Sequence, residues 1–162
     1  PEGFYKVAEA QLKPDSHFIR NPEVNPIHYE VTPGCEQSYK EYKEQVYVLS
    51  IDGKVAKIGG TKTGMKGRFT SYQCGTRKAR AKGTCSVTNY NITEAQYTAL
   101  QCGSRVEWFV YDIPPVVQEL DVFGETHSVV SSVFTKYEAV LLSRYKELTG
   151  GFPLLSSNSG VD

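Results

Sequence analysis

Two β-branched runs meet at Asp52-Gly53, with Val46 to Ile51 (VYVLSI) before it and Lys54 to Ile58 (KVAKI) after it. Val, Ile and Tyr suit a pleated, half-buried surface, and Asp-Gly tolerates the positive φ of a tight turn, so the stretch predicts a β-hairpin. The rest of the chain has to be arranged around it. Two registers are open. A two-residue turn pairs Ile51 with Lys54, sets Tyr47 opposite Ile58 and sends Lys57 to the other face. A three-residue loop, with Gly53 left-handed in a bulge, pairs Ser50 with Lys54 and sets Tyr47 opposite Lys57. A slip of one residue decides whether the tyrosine and the lysine meet. The bulged register is favoured, because it also gathers Val46, Val48, Ala56 and Ile58 on the opposite face.

On the N-terminal side, Phe4, Val7, Ala8 and Leu12 keep an i, i+3, i+4 spacing that predicts a short amphipathic helix ended by Pro14. Pro14, Pro22, Pro26 and Pro33 exclude a long helix or a central strand up to Gly34, so this part reads as an extended arm. Residues 35–45 are polar and at most weakly helical. On the C-terminal side, Thr61 to Gln73 predicts a helix with Met65, Phe69 and Tyr72 inward. Gly64 and Gly67 within it suggest that something approaches closely. Residues 74–85 read as a basic loop, 93–102 as a second helix, 105–113 as a strand completing a small sheet with the hairpin, and 116–131 as irregular to weakly extended. Phe134 to Leu148 predicts a helix whose core stripe contains Phe134, Tyr137, Leu141, either Arg144 or Tyr145, and Leu148. The fold class expected is α+β: a central, mostly antiparallel three-stranded sheet flanked by helices. An N-terminal extension (1–45, helix plus arm) precedes the main domain (46–162), the two forming one unit.

The 162 residues carry 18 Lys and Arg against 18 Asp and Glu, a formal net charge of zero. The distribution is uneven. Residues 53–85 hold Lys54, Lys57, Lys62, Lys66, Arg68, Arg77, Lys78, Arg80 and Lys82 and no acid, which is half of the 18 cations. A solvated basic loop is the bland reading of such a run. Interleaved Phe69, Tyr72, Gly75 and Gly83 favour instead a surface that meets a polyanion, with Lys62, Lys66, Arg77, Lys78, Arg80 and Lys82 as its contacts. Cys35, Cys74, Cys85 and Cys102 lack C-x-x-C spacing and read as free thiols rather than zinc ligands. No apolar run is long enough for a membrane span or an export signal, so a cytoplasmic protein with no membrane partner is expected.

Glu138 falls on or beside the apolar stripe of the last helix, where a carboxylate needs a partner. Thr135-x-x-Glu138 is also a capping-box pattern, and both readings stand.

In order and spacing, Val46-Tyr47-Val48, then Lys57-Ile58-Gly59, Thr61, Arg68 with Tyr72 one turn on, the late Glu138 and the near-terminal Asn158 resemble the GIY-YIG nuclease superfamily. The match is nearest to its compact homodimeric type II restriction endonucleases and covers about 46–158. Val46 stands where that motif has its first glycine, and Lys57 where it has its second tyrosine. The resemblance implies Mg²⁺-dependent hydrolysis of double-stranded DNA at a specific sequence by a homodimer, leaving 5′-phosphate and 3′-hydroxyl ends. Tyr47 would be the general base and Lys57 the ammonium favouring its phenolate. Arg68 and Tyr72 would grip the scissile phosphate, and Glu138 would hold one Mg²⁺ or Mn²⁺ per site. Gly59 and Asn158 would be supporting residues. A homing or repair-type nuclease of the same superfamily and a catalytically silent nucleic-acid-binding module are the alternatives.

Overall fold

Asp52 and Gly53 both take positive φ, 51° and 77°, and close a two-residue turn that pairs Ile51 with Lys54. In the computed structural model, which describes residues 2–14 and 21–156, this turn joins β3 (Gln45–Ile51) to β4 (Lys54–Thr61). The favoured three-residue loop does not form. Ser50 pairs with Val55 and then Leu49 with Lys57, so Ala56 is an extra residue, a bulge in β4 rather than in the turn. Tyr47 therefore lies opposite Gly59, a pairing that neither expected register contains. The slip still leaves Tyr47, Leu49, Lys57 and Gly59 on one face. Ala56 packs with the Tyr47 face and not, as expected, with Val48 and Ile58.

The sheet is larger than the three strands expected. It has five, all antiparallel, in the order β2 (Ile27–Val31), β1 (Tyr5–Leu12), β5 (Val106–Asp112), β3, β4. The expected N-terminal helix is β1, an interior strand. Its helical-looking spacing comes from a β-bulge: Val7 is the extra residue between the Lys6–Phe109 and Ala8–Trp108 pairs, so Val7 and Ala8 are both buried and the alternation is broken. Within the proline-rich segment, β2 is an edge strand, the one place in a sheet where nearby prolines do little harm.

One face of the sheet carries α2 (Gly64–Gln73) and α4 (Val87–Gln101), and the other carries α5 (Phe134–Thr149). Short helices α1 (Glu36–Lys40) and α3 (Arg77–Ala81) lie in the connections, α3 inside the stretch read as a basic loop. The main core surrounds the fully buried Trp108, whose ring is 5.1 Å from Phe69, 5.5 Å from Tyr72 and 5.6 Å from Tyr47. Aromatic pairs of this kind contribute about 0.5–1.5 kcal/mol each beyond the area they bury. Trp108 Nε1 donates to Gln96 Oε1 at 3.0 Å, and Gln96 Nε2 donates to the Tyr29 hydroxyl at 3.0 Å, so the buried indole N–H and the Gln96 amide each have a partner.

α4 starts at Val87, six residues before the expected start, with Ser86 Oγ accepting from Asn89 N. Residues 116–131 are a regular hairpin, β6 (Val116–Val122) and β7 (Glu125–Ser131), turned by Phe123 and Gly124 at positive φ. Phe-Gly is not among the usual turn signals, and Phe rarely enters this region, which is why the sequence gives little notice of the hairpin. In α5 the inward residues are Leu141, Leu142 and Tyr145, whereas Leu148 is exposed, contrary to the expected stripe. Among the described residues no helix is long and apolar enough to cross a membrane.

Candidate active site

β4 is the edge strand opposite β2, and its Gly59-Gly60 step is approached from both faces. A Cβ on Gly59 would lie 2.8 Å from Tyr47 Cε2 and closer still to Cζ and the hydroxyl. A Cβ on Gly60 would lie 3.0 Å from Glu138 Oε2 and inside the Phe134 ring's contact distance. The two glycines thus leave room for a tyrosine on the sheet's α2 face and a carboxylate on its α5 face. The Gly60 N–H also donates to the Glu138 carboxylate.

Arg68 and Tyr72 are one turn apart on α2, and both reach Tyr47. Arg68 Nε donates to the Tyr47 hydroxyl at 3.1 Å and to the Tyr72 hydroxyl at 3.2 Å, and the two hydroxyls are 2.9 Å apart. The guanidinium carbon sits 4.8 Å from the Tyr72 ring centroid. Among the described residues its terminal nitrogens donate to nothing, so the outer fork of the guanidinium is available to an anion. The glycines of α2 do meet close neighbours: Gly64, at φ 79°, faces the Glu41 carbonyl, and Gly67 faces the Thr63 side chain.

Both tyrosines are buried, and burial raises the pKa of each. For Tyr47 the strongest opposing influence is the positive charge of Arg68, followed by the hydrogen bonds from Tyr72 and Arg68, while Glu138 pushes the pKa further up. The cation bonded to the phenol is therefore Arg68, where the sequence had suggested Lys57. Lys57 itself is buried, with Nζ donating to the Leu155 carbonyl at 3.3 Å. Burial lowers its pKa, Arg68 lowers it further, and Glu138 raises it. Burial raises the Glu138 pKa against the influence of Lys57, Arg68 and the Gly60 N–H. Tyr47, Lys57, Arg68 and Glu138 thus form one electrostatic unit across the edge of the sheet.

Glu138 does not cap its helix. The N-cap position of α5 is Val133, without a side-chain cap, and Thr135 is already helical. Glu44 takes that role from a distance: its Oε2 accepts from Val133 N at 3.0 Å and its Oε1 from the Ser132 hydroxyl. A second unannounced contact comes from Ser156, whose Oγ accepts from Ile58 N at 2.9 Å and donates to Ile58 O at 3.0 Å, so the Leu154–Ser156 turn covers the exposed edge of β4. The contacts of Glu44 with Val133 and of Ser156 with Ile58 span 89 and 98 residues of sequence, and no local pattern encodes them. Asn158 lies outside the described residues.

Among the described residues no three His, Cys, Asp or Glu side chains converge on one point, so a divalent cation here would rest on the single carboxylate of Glu138. A half-buried carboxylate, accepting one backbone N–H and held off its ordinary pKa by burial, is stabilised by added positive charge. Magnesium is commonly held by one carboxylate with waters and substrate oxygens completing its shell.

Lys62, Lys66, Arg77, Lys78, Arg80 and Lys82 are all exposed. Lys78 is paired with Glu23, and Arg80 Nη1 donates to the Cys85 carbonyl at 3.2 Å. Lys62, Lys66, Arg77 and Lys82 make no ion pair among the described residues.

No family model matches the chain, and no curated protein matches it. The solved structures similar to it in fold include two nucleases. One is the restriction endonuclease HPY188I in complex with product DNA, at 25% identity and a TM-score of 0.59, over 94% of this chain and 79% of that one. The other is a mutant of bacteriophage T4 EndoII, at 18% identity and a TM-score of 0.57, over 91% of this chain and 89% of that one.

Proposed function

We propose that this chain is a divalent-metal-dependent DNA endonuclease of the GIY-YIG superfamily, of the site-specific restriction type, acting on double-stranded DNA as a homodimer. The observation that carries the reading is the Tyr47–Arg68–Tyr72 hydrogen-bonded cluster, with Lys57 and Glu138 coupled to it around the glycine-lined edge of β4. The similarity to a restriction endonuclease bound to product DNA supports it.

Hydrolysis of a phosphodiester needs a proton acceptor for the attacking water, cations for the phosphoryl oxygens and help for the leaving 3′-oxygen. The outer fork of Arg68 binds the scissile phosphate, and Tyr72 gives its one O–H to the Tyr47 oxygen beside it. Tyr47 takes the proton of the water, its phenolate held by Arg68. Lys57 orients that water and adds positive charge. Glu138 would hold a Mg²⁺ or Mn²⁺, whose charge would favour the phosphoryl and leaving oxygens and would offset the carboxylate charge that raises the Tyr47 pKa. The products carry 5′-phosphate and 3′-hydroxyl ends. One site per chain cuts one strand, and a two-fold dimer matches a palindromic sequence. Lys62, Lys66, Arg77 and Lys82 contact the DNA backbone, with Lys78 and Arg80 holding α3 in place beside them. Within residues 1–45, the Pro22–Glu23 segment bonded to Lys78 would bring the N-terminal arm beside this surface, where it would help grip DNA. Asn158 is assigned a supporting role by resemblance alone.

One observation favours a second reading of the proton acceptor. Lys57 is a buried amine with a lowered pKa, a common state for a catalytic base, whereas the Tyr47 pKa is raised. The two readings separate in Tyr47→Phe, assayed on supercoiled plasmid with Mg²⁺ and with EDTA. With Tyr47 as base, cleavage is Mg²⁺-dependent in the wild type and absent in Tyr47→Phe, with DNA binding within a few-fold. Substantial cutting by Tyr47→Phe transfers the role to Lys57. An intact plasmid with the wild type under Mg²⁺ and Mn²⁺ removes the nuclease reading in favour of a silent binding module.

A further inference from the structure

We infer that the β6–β7 hairpin is a dimerisation arm whose Phe123 tip seats in the α5 groove of a second copy of this chain, each copy giving its arm to the other. The hairpin stands apart from the body. All seven residues of β6 are exposed, no other element packs extensively against the pair, and Phe123 at the turn is fully exposed. Val117 and Val130, directly paired across the ladder, are 61% and 72% exposed. An isolated two-stranded hairpin is marginal in water, and one that shows this much apolar surface is covered in its working state.

The charge of the arm selects what covers it. Residues 113–135 contain Glu119, Asp121 and Glu125 and no Lys or Arg, so the arm repels DNA and cannot extend the basic surface. The same chain carries a complementary receptor. A groove of about 390 Å³ between α5 and the sheet is walled by the apolar Phe4, Tyr111, Tyr137 and Leu141 and rimmed by Lys136 and Arg144, with Glu2 as its acid. The Tyr111 and Tyr137 rings stack there at 6.0 Å, with Phe4 5.7 Å from Tyr111. An aromatic tip flanked by acids matches an aromatic cleft flanked by cations. Strands of seven residues project the tip about 23 Å at ~3.3 Å per residue, enough to reach a neighbouring body. Because the arm and the groove are on one chain, reciprocal exchange closes a two-fold dimer. The groove lies on α5, the helix that bears Glu138, so the interface fixes the spacing of the two proposed sites.

The inference rests on the dimeric reading above and not on the cleavage chemistry, because sedimentation velocity on the full chain reads association without DNA. The wild type is expected to sediment as a dimer, and Phe123→Asp to raise its dissociation constant at least tenfold. Two charge variants make the test specific. Glu119→Lys/Glu125→Lys opposes a basic arm to a basic groove, and Lys136→Glu/Arg144→Glu opposes an acidic arm to an acidic groove, so each alone is monomeric. Mixed, they form a heterodimer in which both contacts are restored, an outcome that unfolded variants cannot give. A monomeric wild type, unchanged association in Phe123→Asp, or failure of the mixture to pair overturns the proposal. Occupation of the groove by another segment of the same chain would appear as that unchanged association.

Discussion

Tyr47 lies across the β3–β4 ladder from Gly59, with its ring over the space that a side chain at residue 59 would fill. The glycine of the Lys-Ile-Gly triplet is thus a steric requirement of the tyrosine twelve residues earlier in the chain. Gly59→Ala is expected to push the Tyr47 ring away from Arg68. Overpacking a core in this way costs about 1–3 kcal/mol. Thermal unfolding should show that loss, and plasmid cleavage should fall at least a hundredfold.

Lys57→Met is expected to abolish cleavage and to raise the melting temperature. Burial and then Arg68 hold the Lys57 ammonium below the ordinary lysine range, against Glu138. The folded chain therefore releases this proton at lower pH than the unfolded chain. In the window below pH 10.5 and above the folded value, the unfolded state binds more protons and stability rises with pH. The stabilisation is complete above the unfolded value and lost as pH falls through the folded one, so at neutral pH the charge is a burden. Removing it should add roughly 2–4 °C, the shift that about 1 kcal/mol produces in a domain of this size, and should flatten the alkaline slope in denaturant melts.

Glu138→Ala is expected to leave no metal-dependent cleavage while DNA binding changes by only a few-fold. In the wild type the acid limb of the pH–rate profile should lie above the ordinary carboxylate range, because burial raises this pKa despite Lys57, Arg68 and the Gly60 N–H. The linkage has the opposite sense to that of a salt-bridged acid. The stability contributed by Glu138 is present below the ordinary carboxylate pKa and is lost as pH rises through the folded value. Glu138→Gln should accordingly be no less stable than the wild type at pH 7. An acid limb at the ordinary glutamate position would argue against a buried carboxylate at this step.

The basic surface should divide by partner. Replacing Lys62, Lys66, Arg77 or Lys82 with Ala should each lower the slope of log affinity against log salt by about 0.9, the value of one phosphate contact on duplex DNA. Lys78→Ala, which breaks the pair with Glu23, and Arg80→Ala, which frees the Cys85 carbonyl, should change the slope less. Equal slopes for all six would mean that the pairing seen here is exchanged for phosphate on binding.

The proximity of the candidate site residues was more legible in the sequence than the fold around them. Asp52-Gly53 announced its own turn, and the four-residue spacing of Arg68 and Tyr72 placed them together, because both signals are local. The register of Tyr47 was not readable, since it depends on a bulge at Ala56 whose cause is packing and not turn chemistry. β1 was hidden by a second bulge at Val7, which makes a strand's burial pattern resemble that of a helix. The Glu44 and Ser156 contacts join residues far apart in the chain and follow from the tertiary structure alone.

Glu44 ends the connection leading into β3, and through Ser132 and Val133 it grips the start of α5. Tyr47 lies three residues beyond that clamp on one side and Glu138 five residues beyond it on the other. The proposed base and the proposed metal-binding carboxylate are thereby measured from a common fixed point, before any DNA arrives. Turnover should begin without a lag, because the span between proton acceptor and metal is already set in the free protein.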